Sequence, residues 1–222
     1  MKFVIFDLDG TLIDTLEGIT IAVNKFLKYK NINLEYSKDT IRTFIGNGAE
    51  LLFKRFMKDN SYNDKDYKLF LKFYRDNQKY SVLFKNVDVT LQDLNKKDIK
   101  LFILSNKPDE LLQTLIPSLL KDIKFEYIQG QDKNYPIKPD VTLLNEKIIK
   151  KYNLNINNGF YVGDSYVDVL TGKNANLKTI LVTYGYGKLE DSLKYNPDYI
   201  IDDFKDVLEI IKWTKKKNCY MD

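Results

Sequence analysis

The chain of 222 residues contains no histidine. That absence removes Ser-His-Asp and Cys-His catalysis, histidine general bases, phosphohistidine intermediates and histidine-ligated zinc. Acid–base chemistry is left to Asp, Glu, Lys, Tyr or one cysteine. The cysteine, Cys219, stands near the C-terminus and excludes an intrachain disulfide framework. A terminal Asp222 also makes a poor prenylation signal. No apolar stretch approaches the about 20 residues that a membrane-spanning helix needs. The opening MKFVIFDLDG has only a short apolar run before its first acids, unlike a signal peptide. No membrane partner and a cytoplasmic location are therefore expected. Arginine is scarce, confined to Arg42, Arg55 and Arg75. Nucleic-acid readers rely on arginine forks at base edges, so no nucleic-acid partner is expected either.

What is present is ordinary for a globular chain. The 44% hydrophobic share is too high for disorder, and the net charge of +4 is a mild excess. The length fits one large domain, or one domain with an insertion. No internal repeat appears, and the basic KKK at 215–217 reads as a solvated helix end.

Short apolar runs recur at 2–7, 100–106, 125–130, 160–164, 178–185 and 198–202. Continuous rather than alternating runs suit strands buried on both faces of a parallel sheet. Helical patterns separate them at 88–97, 109–121, 140–152, 165–176 and 204–217. This alternation predicts an α/β fold with a doubly wound, Rossmann-like parallel sheet. Ligands of such sheets bind beyond the carboxyl ends of the strands. Residues 15–85 break the alternation. Leu16, Ile19, Val23, Phe26 and Leu27 form one helical stripe, and Ile41 to Phe56 and 67–80 continue in helical spacing. About four helices are predicted there as a separate unit, with hinges near 14–17 and 80–86. The remaining core would comprise 1–14 and 86–222.

Four strand ends carry polar groups. The first runs into D-L-D-G-T-L, with Asp7, Asp9, Gly10 and Thr11. Two carboxylates so close repel unless a cation or a division of labour separates them. Oxygen ligands suit Mg²⁺, and an Asp can be a phosphoryl nucleophile without histidine. The same letters also spell a surface turn. LFILSN offers Ser105 and the Asn106 amide as donors to phosphoryl oxygens, or merely a turn. YPIKPD offers Lys138, with Pro139 at an expected first helical position; the lysine is a charge balancer or one more exposed cation. FYVGDSYVD sets Asp164 at a strand end and Asp168 four residues later, as cation ligands or as a helix cap.

In this order the four motifs resemble the haloacid dehalogenase superfamily, and the helical segment after DLDGT resembles its cap. The resemblance implies that Asp7 is the nucleophile and Asp9 first the general acid and then the general base. It implies that Thr11, Ser105 and the Asn106 amide contact phosphoryl oxygens, and that Lys138 balances charge beside Asp7. Mg²⁺ would be held by Asp7, the Asp9 carbonyl and Asp164, with Asp168 in support through water or a lysine. An acid at position 9 favours phosphatase or phosphomutase over dehalogenase, which needs no leaving-group proton. Phosphonate hydrolysis needs a cap lysine; Lys25, Lys28 and Lys54 are present, but the DLDGT start argues against it.

DLDGTLIDT, IRTFIGNGAELL, SNKP, IKPD, GDSYVD and VTYGYG together are similar to phosphoglycolate phosphatase and its relatives. That likeness implies a Mg²⁺-dependent phosphatase for a small-molecule phosphate monoester, as monomer or homodimer. Gly46 and Gly48 then form a helix break whose amides face the site, and Arg42 meets a substrate carboxylate. Alternatively the glycines only turn the chain and Arg42 is solvated. SVLFKNVDV replaces the usual Pro/Gly-rich return from the cap, and Ala175-Asn176 replaces the usual Ala-Gly. Sugar phosphomutase and pyrophosphatase stay open as alternatives. So does a catalytically silent phosphate-binding protein. A receiver-like module fits less well, since its acidic residue follows a middle strand and it lacks a helical insertion.

Overall fold

The computed structural model describes residues 1–58 and 63–213; the basic run at 215–217, Cys219 and Asp222 lie outside them. Strand β1 (Phe3–Phe6) comes first, every residue of it buried. A two-residue strand β2 (Ile13–Asp14) leads into helices α1 (Leu16–Tyr29), α2 (Lys38–Arg42), α3 (Ala49–Phe56) and α4 (Asp64–Asn77). A 3₁₀ turn and β3 (Val82–Leu83) return the chain, and β3 pairs antiparallel with β2. Alternation then runs through α5 (Val87–Lys96), β4 (Lys100–Pro108), α6 (Asp109–Leu119) and β5 (Tyr127–Gln131). Next come α7 (Thr142–Leu144), continued as a π-helical segment (Asn145–Lys150), β6 (Gly159–Gly163) and α8 (Tyr166–Asn174). β7 (Lys178–Val182), α9 (Leu189–Leu193), β8 (Tyr199–Ile201) and α10 (Asp206–Trp213) complete the described chain.

The six core strands form one parallel sheet in the order β5-β4-β1-β6-β7-β8. β1 lies inside it, pairing Phe3–Phe6 with residues 100–103 on one side and 159–162 on the other. Successive side chains of a strand point to opposite faces. Val4 and Phe6 accordingly join one core with Leu91, Leu112 and Phe204, while Phe3 and Ile5 join another with Phe102, Leu144 and Tyr161. Burial on both faces is the reason the runs are continuously apolar. The chain moves from β1 outward to β4 and β5, then returns across β1 to β6. That reversal opens a crevice at the carboxyl ends of β1, β4 and β6.

The four inserted helices have a core of their own. Phe26 from the α1 stripe meets Phe53, Phe56, Phe70 and Phe73 with ring centroids 5.6, 5.9, 5.9 and 6.0 Å away, all edge-on. Edge-on pairs set the positive ring rim against the negative face of the neighbour. Ser37 caps α2 and Asn63 caps α4, each side chain accepting from a backbone N–H of the first turn. The helices stand where helical spacing predicts them.

Two local details differ from expectation. The β2–β3 pair was not foreseen, because two-residue strands are too short to show a period. Pro139 is not the first helical residue: it follows Lys138 in a cis peptide, and the helix begins at Thr142. Asp140 accounts for the later start, since its side chain accepts from the Thr142 N–H at 2.8 Å. α10 is described only to Trp213, so 214–217 of its expected length lie outside the described residues. No described helix is long and apolar enough to cross a membrane.

Candidate active site

Asp7 extends the β1 ladder by one residue, its N–H donating to the Val162 carbonyl at 2.9 Å. The chain then folds on itself. The Leu8 carbonyl accepts from the N–H groups of Thr11, Leu12 and Ile13 at 3.2, 3.0 and 3.1 Å. Gly10 sits in this loop at φ +86°, and a Cβ there would lie 2.5 Å from Asp164 Oδ2. Only glycine permits both that backbone and that approach. DLDG is thus a turn and also the device that presents two acids at the sheet's carboxyl edge.

Asp7, Asp164 and Asp168 are all buried and each offers an oxygen within 4.8 Å of the others. Lys138 stands among them, 2.8 Å from Asp7 Oδ1 and 2.7 Å from Asp168 Oδ1. Burial pushes the Asp7 carboxyl up to about 6; Lys138 pulls against this, and Asp168 and Asp9 add to it. Burial, then Asp168 and Asp7, raise Asp164 to about 7, despite N–H donors from Gly187 and Tyr186. Burial disfavours the charge on Lys138, but Asp168 and Asp7 outweigh it and hold the ammonium well above the usual lysine range. One lysine against three buried carboxylates leaves negative charge uncompensated. All the donors are hard oxygens, the set that suits a divalent cation such as Mg²⁺ rather than zinc.

Asp164 is fixed through Oδ2, which accepts from Tyr186 N at 2.6 Å and Gly187 N at 3.0 Å. Asp168 has a double employment. Its Oδ2 accepts from the Ser165 N–H and hydroxyl at 3.1 and 2.7 Å, closing the capping box of α8, while Oδ1 takes Lys138. GDSYVD is thus a helix cap, and it also brings Asp164 and Asp168 into one cluster with Asp7. Thr11, expected at the phosphoryl oxygens, has its side chain turned toward Asp164. Its hydroxyl donates to Asp164 Oδ1 at 3.4 Å, and the residue is fully buried and does not line the cavity.

At the end of β4, Ser105 lines the cavity and Asn106 staples two loops. The Asn106 side chain accepts from Lys138 N at 2.9 Å and donates to the carbonyls of Lys138 and Gly46 at 3.3 and 3.2 Å. Gly46 thus presents its carbonyl, not its amide, to this loop. Gly46 and Gly48 have φ +112° and +84° and separate α2 from α3, so the predicted break is real. Asp9 Oδ1 accepts from the Thr15 hydroxyl at 2.7 Å and from Lys107 Nζ at 2.8 Å.

A cavity of about 370 Å³ lies between the sheet edge and the helices. Asp7, Asp9, Ser105, Asn106, Asp164 and Asp168 line it from the sheet side. Arg42, Gly46 and Gly48 line it from the helical side, together with Arg55. Lys138 sits behind Asp7 rather than on the wall.

A family model described as haloacid dehalogenase-like hydrolase matches residues 4–182. The chain belongs to the haloacid dehalogenase-like hydrolases. It is 32% identical over 221 residues to the phosphoglycolate phosphatase of Colwellia psychrerythraea (strain 34H / ATCC BAA-681), covering 95% of this chain and 97% of that relative. It is 31% identical over 212 residues to the phosphoglycolate phosphatase of Aquifex aeolicus (strain VF5), with the same two shares. A crystal structure of a predicted phosphoglycolate phosphatase from Haemophilus somnus 129pt superposes with a TM-score of 0.83 at 29% identity, covering 95% of this chain and 97% of that one. Among haloacid dehalogenase-like hydrolases the chain is phosphoglycolate phosphatase-like, and its class is phosphoric monoester hydrolase.

Several residues of this hydrolase's cavity escaped the sequence reading. Lys107 lies inside SNKP, and Tyr186 and Gly187 lie inside VTYGYG; both strings served only as family cues. Tyr74 lies in the 67–80 helical pattern, which gives it no site role; it is both core and cavity wall. Arg55 carried no motif, nor did Thr15, which holds Asp9 from outside the cavity lining. The available signal for Lys107 was its place two residues beyond Ser105, which directly follows the apolar run of β4.

Proposed function

We propose that the chain is a Mg²⁺-dependent phosphatase acting on a small phosphate monoester of the phosphoglycolate type, through an aspartyl phosphate on Asp7. The observation that carries this reading is the buried set of Asp7, Asp164 and Asp168 around Lys138 at the floor of a cavity. A bound Mg²⁺ would be held by Asp7 and Asp164, with the Asp9 main chain, and would offset the charge of the incoming phosphoryl group.

The residues divide the remaining work. The Asp7 carboxylate attacks phosphorus as the bond to the leaving oxygen breaks, and Asp9 gives that oxygen a proton. Water then attacks the phosphoryl group, gives a proton to Asp9, and the bond electrons return to the Asp7 carboxylate. Lys138 reduces the repulsion between Asp7 and the phosphate. Ser105 and the Asn106 N–H meet phosphoryl oxygens, while Thr11 orients Asp164. Asp168 fixes Lys138. Positioning and charge do most of the catalysis in phosphoryl transfer, and this arrangement supplies both.

Residues 15–85 act as a cap over a core of 1–14 and 86–222, with Arg42 and the Gly46–Gly48 break facing the substrate's non-reacting end. Closure would exclude bulk water and complete the site. The test is phosphate release from 2-phosphoglycolate and from an aryl phosphate, with Mg²⁺, with chelator, and with Asp7→Asn. Turnover that needs both Mg²⁺ and Asp7, and that favours phosphoglycolate, supports the reading. Turnover insensitive to Asp7→Asn rules out the covalent route, and preference for pyrophosphate or a sugar phosphate moves the substrate assignment.

A further inference from the structure

Lys107 is a buried cation that the mechanism above leaves without a part; its side chain is 1% exposed. Its ammonium lies 2.8 and 3.1 Å from the two oxygens of Asp9 and 2.5 Å from the Tyr74 hydroxyl. An ammonium has three hydrogens, and these three contacts account for them. The same nitrogen stands 4.3 Å from the centroid of the Tyr74 ring, within cation–π range. Tyr74 belongs to α4, the last of the inserted helices, whereas Lys107 lies in β4 of the sheet. The role of charge balance at Asp7 is already filled by Lys138.

We propose that Lys107 is the positioning residue for Asp9, and that Tyr74 makes this positioning depend on the seating of α4 against the sheet. The inference rests on Asp9 being the general acid and base. The geometry distinguishes the two Asp9 oxygens. Among the described residues, Oδ1 accepts two short hydrogen bonds, 2.7 Å from the Thr15 hydroxyl and 2.8 Å from Lys107, while Oδ2 has one longer contact at 3.1 Å. Oδ2 is the oxygen left to exchange a proton with the leaving group and then with water. Lys107 fixes the carboxyl plane by donating to both oxygens. Thr15 directly precedes α1 and Tyr74 lies near the end of α4, so both chain crossings into the helices contribute to the grip. With α4 unseated, Lys107 loses a buried partner and Asp9 loses its orientation.

The experiment is the dependence of kcat/KM on leaving-group acidity, over a series of substituted phenyl phosphates and one simple alkyl phosphate. None of these carries a carboxylate, so a charge effect on substrate binding falls equally on all members. Wild type is compared with Asp9→Asn, Lys107→Met, Lys107→Arg and Tyr74→Phe. Loss of a general acid removes about 10²–10⁴-fold where the leaving group is poor, and misplacing a group by about 1 Å can cost about 10²-fold. Lys107→Met is therefore expected to lose roughly 10²-fold on the alkyl phosphate, far less on the best leaving group, and so to steepen the plot. Lys107→Arg should recover part of the slope, and Tyr74→Phe should steepen it mildly.

If Asp9→Asn leaves the slope unchanged, the acid–base reading of Asp9 fails. If Asp9→Asn steepens it but Lys107→Met lowers every substrate by one factor, or none, the positioning role is overturned. Should Lys107→Met not fold by circular dichroism, Tyr74→Phe decides: a steeper slope supports the role and an unchanged slope overturns it.

Discussion

The Lys138 ammonium lies 2.7 Å from Asp168 Oδ1, marginally nearer than its 2.8 Å from Asp7 Oδ1. One cation therefore joins the carboxylate at the end of β1 to the capping residue of α8. Asp168 cannot be altered without reaching Asp7 through the lysine.

Asp168→Asn should accordingly weaken both fold and turnover. A buried ion pair that loses one partner typically costs about 3–5 kcal/mol. Retention of Asp7 beside Lys138 places the expected loss near the lower end, about 3 kcal/mol by urea unfolding. Phosphate release should slow with little change in KM. Combining the change with Lys138→Met should cost less than the two single losses added, because the pair is one unit.

The raised carboxyls make a signed prediction for pH. Asp7 at about 6 and Asp164 at about 7 hold protons in the fold at pH values where an unfolded carboxyl, near 3.8, has released them. Their contribution is fully favourable to the fold below the unfolded value and is lost as pH rises through the folded values. Metal-free protein should therefore show a lower Tm at pH 7.5 than at pH 5 from this source. Mg²⁺ should raise Tm markedly at pH 7.5 and little at pH 4.5, where protonated acids do not bind it. Thermal unfolding with Mg²⁺ and with chelator across this range checks both limbs; a stabilisation that shrinks as pH rises contradicts the site.

Tyr186 links the Asp164 loop to the entry of α1. Its hydroxyl accepts from the N–H groups of Thr15 and Leu16 at 2.7 and 3.0 Å and donates to Asp14 at 2.7 Å. Tyr186→Phe leaves those N–H groups without this acceptor, at about 1–3 kcal/mol. Its own N–H still holds Asp164, so Mg²⁺ affinity measured by calorimetry should be unchanged while stability falls. A loss of Mg²⁺ affinity equal to the loss of stability would count against this separation.

Arg42 is exposed at the end of α2 and lines the cavity from the helical side. A charge-assisted contact to a substrate carboxylate is worth about 1.5–3 kcal/mol. Arg42→Ala should raise KM for phosphoglycolate by about 10- to 100-fold and leave an aryl phosphate without a carboxylate unaffected. Equal effects on both substrates would place Arg42 outside recognition.

Much of the site can be read from the chain because strand ends announce themselves. FVIF cannot be solvated and must be covered on both faces, so the acids that follow it fall at the sheet's edge. The same reasoning locates Ser105 and Asp164. Thr11 follows the same strand but turns toward Asp164 and away from the cavity lining, a direction set by the backbone of one loop and invisible in its letters. Pro139 was misread because the Asp140 side chain delays the helix to Thr142.

Apolar patterning alone determines the continuous strands, the α1 stripe and the order of the polar ends, because strands buried on both faces need unbroken apolar runs and a one-sided helix needs the 3.6-residue period. Tertiary structure decides which polar groups meet. Lys107 reaches Asp9 across 98 residues, and the Tyr186 N–H reaches Asp164 across 22 from a different strand end. A lysine or tyrosine suits solvent or interior equally by composition, and only packing removes water and fixes its partner. The apolar pattern therefore specifies the frame, while the close hydrogen-bond partners of Asp9 and Asp164 arise when α1, α4 and the loop after β7 close over the sheet edge.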